Sequence, residues 1–253
     1  MFMRLVEATV KKDGDAWLER VYADSILHAL EQTPGCIFAG LLYSMDHTSR
    51  YMSLTLWESE THAQHYVNSG EFKKNLDRLR PVLEESSEWK IQLSKENTVE
   101  YKEVPFEPVV KSWDVSDPDS SLPGEVHAQR SYLRILSHKI NPGNAAEFTR
   151  IYNSEVLPEL RAVPGCRYAF LIDNSETDRE MISFSIWDDP ALLEHYERQG
   201  KFKELLDKLS HTLGDLYQWK MALEKRSKSA VATVTSQDIG VSRFTLVTGK
   251  KFI

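Results

Sequence analysis

The chain has 253 residues, of which 41% are hydrophobic and 27% charged, with a formal net charge of -7. That length suits one large domain or two ordinary ones, and the composition excludes a disordered or collagen-like chain. No apolar stretch reaches the roughly 18–20 residues that span a bilayer, the first residues lack the apolar core of a secretory leader, and the acidic balance argues against nucleic acid as the main partner. Two cysteines, Cys36 and Cys166, are too few for a disulfide scaffold, so a cytoplasmic location is expected.

Arg4 to Val10 reads as a strand. Gly14 to Gln32 reads as a helix, because Trp17, Leu18, Val21, Tyr22, Ile26 and Leu30 recur at spacings of three or four. Thr33-Pro34-Gly35 stops it. Cys36 to Tyr43 and Arg50 to Trp57 read as two strands around the polar turn Asp46 to Ser49. Glu58 to Ser69 and Glu71 to Leu83 read as helical, and Glu88 to Leu93 as a final strand. The order β-α-β-β-α-β is the ferredoxin-like, split-βαβ arrangement, an α+β unit with two helices on one face of a four-stranded sheet.

The same order then recurs at a fixed offset of 130. Pro34-Gly35-Cys36 returns as Pro164-Gly165-Cys166, His65-Tyr66 as His195-Tyr196, and Trp89-Lys90 as Trp219-Lys220. Residues 4–93 set against 134–223 share 25 identities in 90 positions without a gap, where chance gives roughly 5–6. The expected organisation is therefore one repeat over 1–97, a linker rich in Pro, Asp and Ser over 98–130, a second repeat over 131–223, and a tail over 224–253. The tail shows no counterpart in the first repeat, although Ala230 to Thr235 and Val241 to Val247 are β-like.

One face of each sheet is left without helices. In the third strand Met52, Leu54 and Leu56 point one way, and Tyr51, Ser53, Thr55 and Trp57 the other. Ile182, Phe184 and Ile186 oppose Met181, Ser183, Ser185 and Trp187 in the second repeat. Neither face is charged, so both should be covered. The economical solution packs the two sheets together as one closed barrel within the chain.

These features resemble the antibiotic biosynthesis monooxygenase domain family, of the dimeric α/β-barrel superfamily. The resemblance is carried by the element order, by Pro-Gly-Cys before the second strand, and by Trp57-Glu58-Ser59 and, after seven intervening residues, Val67-Asn68-Ser69-Gly70-Glu71-Phe72. It covers both repeats, with Trp187-Asp188-Asp189 and His195-Tyr196 through Phe202 in the second. It implies an oxygenase of a quinol or aromatic polyketide that needs no cofactor, or a haem-degrading enzyme. The haem-degrading members use an Asn on the first strand, a helical Trp and an axial His. Those positions fall near Glu7 and Ser137, at Tyr66 and Tyr196, and at Asn75 or Leu76 and Leu205 or Leu206. The donor that haem iron requires is thus missing.

The chemistry expected is cofactor-independent oxygenation of a small hydrophobic phenol or quinol. His65, Tyr66, His195 and Tyr196 are the candidates for proton transfer and orientation, since both residue types can move a proton or hold a hydroxyl. Trp57, Ser53 and Thr55, with Trp187, Ser183 and Ser185, are the candidates for lining the pocket. Cys36 and Cys166 read more simply as small buried hydrophobes. No metal site is expected, because His62 and His65 lack a third ligand and the second repeat has Leu192 at the first position. Two alternatives stand beside this reading: a non-catalytic ligand-binding or regulatory barrel, and a haem-binding protein with an unusual ligand. The tail is expected to join a homo-oligomer through an exposed strand edge.

Overall fold

The structure, a computed structural model, describes residues 1–84, 89–93, 99–103, 108–115, 131–173, 180–214 and 239–252. The first half runs β1 (Phe2–Thr9), α1 (Asp15–Val21), a π-helical turn (Tyr22–Ile26), α2 (Leu27–Glu31), β2 (Cys36–Ser44), β3 (Arg50–Trp57), α3 (Glu60–Asn68) and α4 (Glu71–Leu79). Three strands follow, β4 (Trp89–Leu93), β5 (Val99–Glu103) and β6 (Val109–Val115). The second half repeats the opening order as β7 (Tyr132–Lys139), α5 (Ala145–Ile151), a π-helical turn (Tyr152–Val156), α6 (Leu157–Arg161), β8 (Cys166–Asp173), β9 (Glu180–Trp187), α7 (Pro190–Arg198) and α8 (Lys201–Leu209). β10 (Ile239–Lys251) comes last.

Local chemistry sets the breaks. The Ser59 hydroxyl accepts the His62 backbone N–H at the start of α3, and the Asp189 carboxylate accepts that of Ala191 at 2.7 Å at the start of α7. Gly35 has φ +77° and its missing Cβ would lie 2.3 Å from the His62 ring, while Gly165 has φ +86° and would meet Leu192 at 2.5 Å. Only glycine fits there, which accounts for the recurrence of Pro-Gly-Cys. The first helix, read as continuous from Gly14 to Gln32, is interrupted in both halves by a π turn. In each it begins on a tyrosine, Tyr22 or Tyr152.

Eight strands close into a barrel in the order β1-β3-β2-β10-β7-β9-β8-β6. Met52, Leu54 and Leu56 meet Ile182, Phe184 and Ile186 inside it, together with Phe38, Phe170, Phe244 and Leu246. The opposite strand face packs under helices in two further cores, one per half. The alternation of the third strands thus places both faces as expected. Each fully buried Leu, Ile or Phe contributes about 1.5–3 kcal/mol, so the barrel interior binds the two halves into one unit.

The fourth strand of each half differs from expectation. β4 does occupy the predicted place, but it pairs with β5 in a separate two-stranded sheet. The free edge of β1 is taken by β6, from the segment read as a linker, and that of β7 by β10, from the tail. Both strands are also the seams between halves, β6 against β8 and β10 against β2. β10 is therefore the counterpart of β6. Val6 lies opposite Val110, and Leu136, the repeat equivalent of Val6, lies opposite Val241. The offset is 130 from Val6 to Leu136 but 131 from Val110 to Val241. That one-position slip hides the correspondence from a gapless comparison. β10 pairs with β7 over Ile239–Thr245 and with β2 over Phe244–Lys251, so the tail strand joins the two halves of the barrel. The run Ala230 to Thr235 and the second counterpart of β4 lie outside the described residues.

Candidate functional site

Between the helix-facing side of the first-half sheet and helices α3 and α4 lies a cavity of about 60 Å³. Its walls include Arg4 from β1, Ser53 and Thr55 from β3, Tyr22 from the π turn, Tyr66 from α3 and Asn75 from α4. Alternation along the strands turns Arg4, Ser53 and Thr55 to this side. Phe72, Leu76 and Leu79, all partly exposed, form its outer lip. An apolar cavity of ~150 Å³ accommodates a benzene ring, so this one is smaller than a ring requires with the lip side chains where they stand.

Two polar groups on the wall, Tyr66 and Arg4, have donor capacity to spare. Asn75 donates to the Tyr66 hydroxyl at 2.9 Å and is itself held by Arg78 at 2.7 Å. The Tyr66 oxygen is thus an acceptor towards Asn75, and its own proton is left to the cavity. Burial pushes the Tyr66 phenol above its ordinary range, against the opposing pull of Asn75 and Arg4, so it is a neutral donor at pH 7. Arg4 is buried, its Nε lacks a hydrogen-bond partner, and its guanidinium lies 4.3 Å over the Phe72 ring. The Tyr22 hydroxyl is occupied, donating to the Gly40 carbonyl at 3.1 Å and sharing a 2.7 Å bond with Ser53.

The second half carries Arg134, Tyr152, Ser183, Ser185 and Tyr196 at the same positions. Here Leu205 stands where the first half has Asn75. Leu205, Leu206, Leu209 and Phe202 are all buried in the helix-sheet core. Tyr152 is hydrogen-bonded to Ser183, and burial pushes its phenol up to about 12.

The residues expected from sequence are placed unequally. Tyr66 is buried on the cavity wall, but His65 lies on the exposed side of α3 and does not line the cavity. His195 and Tyr196 do come together, along an open surface groove of about 540 Å³ rimmed by Leu192, Lys201 and Glu159. Hydrogen bonds from Lys201 and Lys208 hold the Glu159 carboxyl down to about 2, so the charges on that rim are already paired. Ser53 and Thr55 line the cavity, whereas Trp57 lies beneath it. Trp57 is fully buried against Tyr66, with ring centroids 5.2 Å apart, and donates to Thr55 at 2.9 Å. Trp187 is held the same way, by Ser185 at 2.9 Å and under Tyr196 at 5.1 Å. Both cysteine thiols are pushed up to about 12 by burial, which makes them poor nucleophiles.

Arg4, Tyr22 and Asn75 were missed from sequence. The first two recur at the same offset of 130, as Arg134 and Tyr152. The cavity wall holds no His, Cys or Met side chain, and burial keeps the phenols of Tyr22 and Tyr66 protonated, so it offers haem no ready axial donor. Among the described residues no cluster of three or more His, Cys, Asp or Glu could hold a metal ion. Nor is any described helix long and apolar enough to cross a membrane.

A barrel of two ferredoxin-like halves with its cavity between sheet and helices defines an α/β barrel of the dimeric class, here completed within one chain. The chain belongs to the antibiotic biosynthesis monooxygenase family, whose model matches residues 1–77 and again 132–208. Solved structures show the same fold along its whole length. A "putative monooxygenase" from Lactobacillus acidophilus NCFM is 10% identical, covering 99% of this chain and 96% of its own, with a TM-score of 0.61. A protein so described from Fusobacterium nucleatum subsp. nucleatum gives the same identity and TM-score over 99% and 94%. An anthrone oxidase-like protein is 12% identical over 99% and 93%, with a TM-score of 0.58. Curated protein sequences contain no match to the chain.

Proposed function

We propose that the chain is a cofactor-independent monooxygenase acting on a small hydrophobic phenol or quinol, with its site in the first-half cavity. Family membership supports the reaction class. The carrying observation is a buried hollow whose wall offers Tyr66 and Arg4 as unengaged donors to a substrate oxygen. The electrons come from the substrate. A phenol that has lost its proton adds dioxygen at a ring carbon, a C–O bond forms, the C–H bond there and the O–O bond break together to leave a carbonyl, and the outer oxygen leaves as water with the two protons. Phenol plus dioxygen thus gives quinone plus water. The donors stabilise the oxyanion as charge develops. His65 takes no direct part, because it lies outside the cavity. The partner is a small molecule, and the reducing cytoplasm suits two free cysteines.

The test is oxygen uptake with 1-naphthol in chelator-treated buffer. The expected result is one dioxygen consumed per naphthoquinone formed. No uptake, or uptake only with added flavin or metal, overturns the proposal. The non-catalytic ligand-binding reading is favoured by one feature, the lack of a carboxylate or imidazole base on the cavity wall. It predicts saturable binding of the same compounds without uptake.

A further inference from the structure

Arg4 and Arg134 occupy one position of the duplicated unit, and their surroundings differ. Both side chains are buried, at 6% and 1% exposure. Each guanidinium lies over the phenylalanine of the following helix pair, 4.3 Å from Phe72 and 4.2 Å from Phe202. Arg134 also has a counter-ion. Its Nε donates to Glu197 at 2.8 Å, Glu197 accepts Arg243 at 2.6 Å, and Arg243 reaches Asp46 at 3.2 Å. The first half has Val67 where the second has Glu197. Among the described residues no carboxylate is paired with Arg4, and its Nε has no hydrogen-bond partner.

A buried guanidinium remains charged, and a buried charge without its counter-ion is strongly unfavourable. Such a deficit persists where function requires it. The neighbouring Tyr66 hydroxyl has a free proton, so the two groups present donors alone to whatever fills the hollow. We propose that the first half is the single ligand-binding half, and that its ligand is an aromatic oxyanion, a carboxylate or phenolate, whose charge lies against Arg4. The second half contains its own anion, Glu197, in place of a ligand. This inference rests on the first-half cavity being the substrate site and names the class of molecule it takes.

The test is calorimetric binding to the full chain under argon at pH 8, with benzoate, 4-nitrophenolate and neutral benzamide. At least one anion binds at one site per chain, tenfold or more tighter than benzamide, and which of the two binds separates a carboxylate from a phenolate ligand. Arg4→Gln weakens the anion at least tenfold. Val67→Glu, which installs a counter-ion while keeping Arg4, does the same, and the uncharged Val67→Gln does not. Arg134→Gln leaves binding intact. Two sites per chain, benzamide binding as tightly as the anions, no binding by either anion, or full affinity in Arg4→Gln overturns the inference. Because no oxygen is present, the oxygenase reading fails separately. Anion binding without oxygen uptake defeats that reading alone, while uptake with 1-naphthol that survives Arg4→Gln defeats this inference alone.

Discussion

The space beneath the second helix pair is resolved in two ways by one duplicated unit. In the first half Asn75 holds the Tyr66 hydroxyl, and partly exposed Phe72 and Leu76 close a small, mostly apolar hollow with a few polar groups on its wall. In the second half Leu205 replaces Asn75, and buried Phe202, Leu206 and Leu209 complete an apolar core. The backbone, the π turn, the Trp–Tyr stack and the arginine are common to both. Two substitutions, Asn75 against Leu205 and Val67 against Glu197, account for the change in chemistry. Duplication thus allows one half to keep a costly polar site while the other supplies packing to the shared barrel.

The strongest break of this comparison uses the arginines themselves. Arg134→Met removes the more buried of the two partners of Glu197, which keeps Arg243, and is expected to lower stability by about 2 kcal/mol. Arg4→Met separates no ion pair among the described residues and removes an uncompensated buried charge, so it is expected to raise stability by about 1 kcal/mol. Urea unfolding of both variants measures this, and shifts of the same sign would mean that the two environments are equivalent.

A second contrast lies on β7. His138 is fully buried with both ring nitrogens unpartnered, where the first half has Ala8. Burial first, and the Arg134 charge second, bring its imidazole down to about 3. The unfolded chain binds that proton below about 6.5, and the folded chain does not until about 3. Its contribution to stability is therefore complete above pH 6.5 and is lost as pH falls towards 3, at about 1.4 kcal/mol per pH unit. At pH 5 the loss is about 2 kcal/mol. His138→Leu is expected to flatten this part of the pH dependence, and a variant with an unchanged difference between pH 7 and pH 5 would show that the histidine is solvated.

Much of the fold was legible because strand alternation and helix spacing were unusually clear. Met52, Leu54 and Leu56 against Ser53, Thr55 and Trp57 placed both faces of the sheet correctly. The strand β6 escaped because Pro and Asp residues surround it, whereas β10 was legible as the β-like run Val241 to Val247 and only its correspondence to β6 was hidden, by one extra residue. The π turns escaped because Tyr22, Ile26 and Leu30 keep an ordinary helical spacing. At the site, shared identity drew the reading to His65-Tyr66. Neighbours on a helix lie about 100° apart, so burying Tyr66 turns His65 outward. Arg4 and Tyr22 carried the same repeat signal but read as strand start and helix core. The positions that decide function differ between halves, and a search for identities passes over Asn75 and Val67.

The tyrosines give a smaller effect that sharpens the assignment. Tyr66→Phe removes a donor to the substrate oxygen and is expected to lower kcat/KM about tenfold, or ~1.4 kcal/mol. Tyr196→Phe is expected to leave it unchanged, because the second-half site is filled. Steady-state oxygen uptake measures both. Equal losses in the two variants would restore a working site to each half.

The smallest expected effect concerns the histidines, and it decides how the substrate loses its proton. His65 and His195 are exposed, and the cavity wall has no other base. His65→Ala and His195→Ala should therefore leave turnover within about twofold of the parent, since substitutions away from the reacting groups act weakly. The pH profile carries the sharper form of the same statement. A histidine base gives a limb at the same pH for every substrate. A substrate that arrives ionised gives a limb that follows its own phenol, lowered by the Arg4 charge. Profiles of kcat/KM for two phenols of different acidity distinguish the cases. A limb that is the same for both phenols and vanishes in His65→Ala would return the proton to the helix surface and remove the cavity donors from the first step.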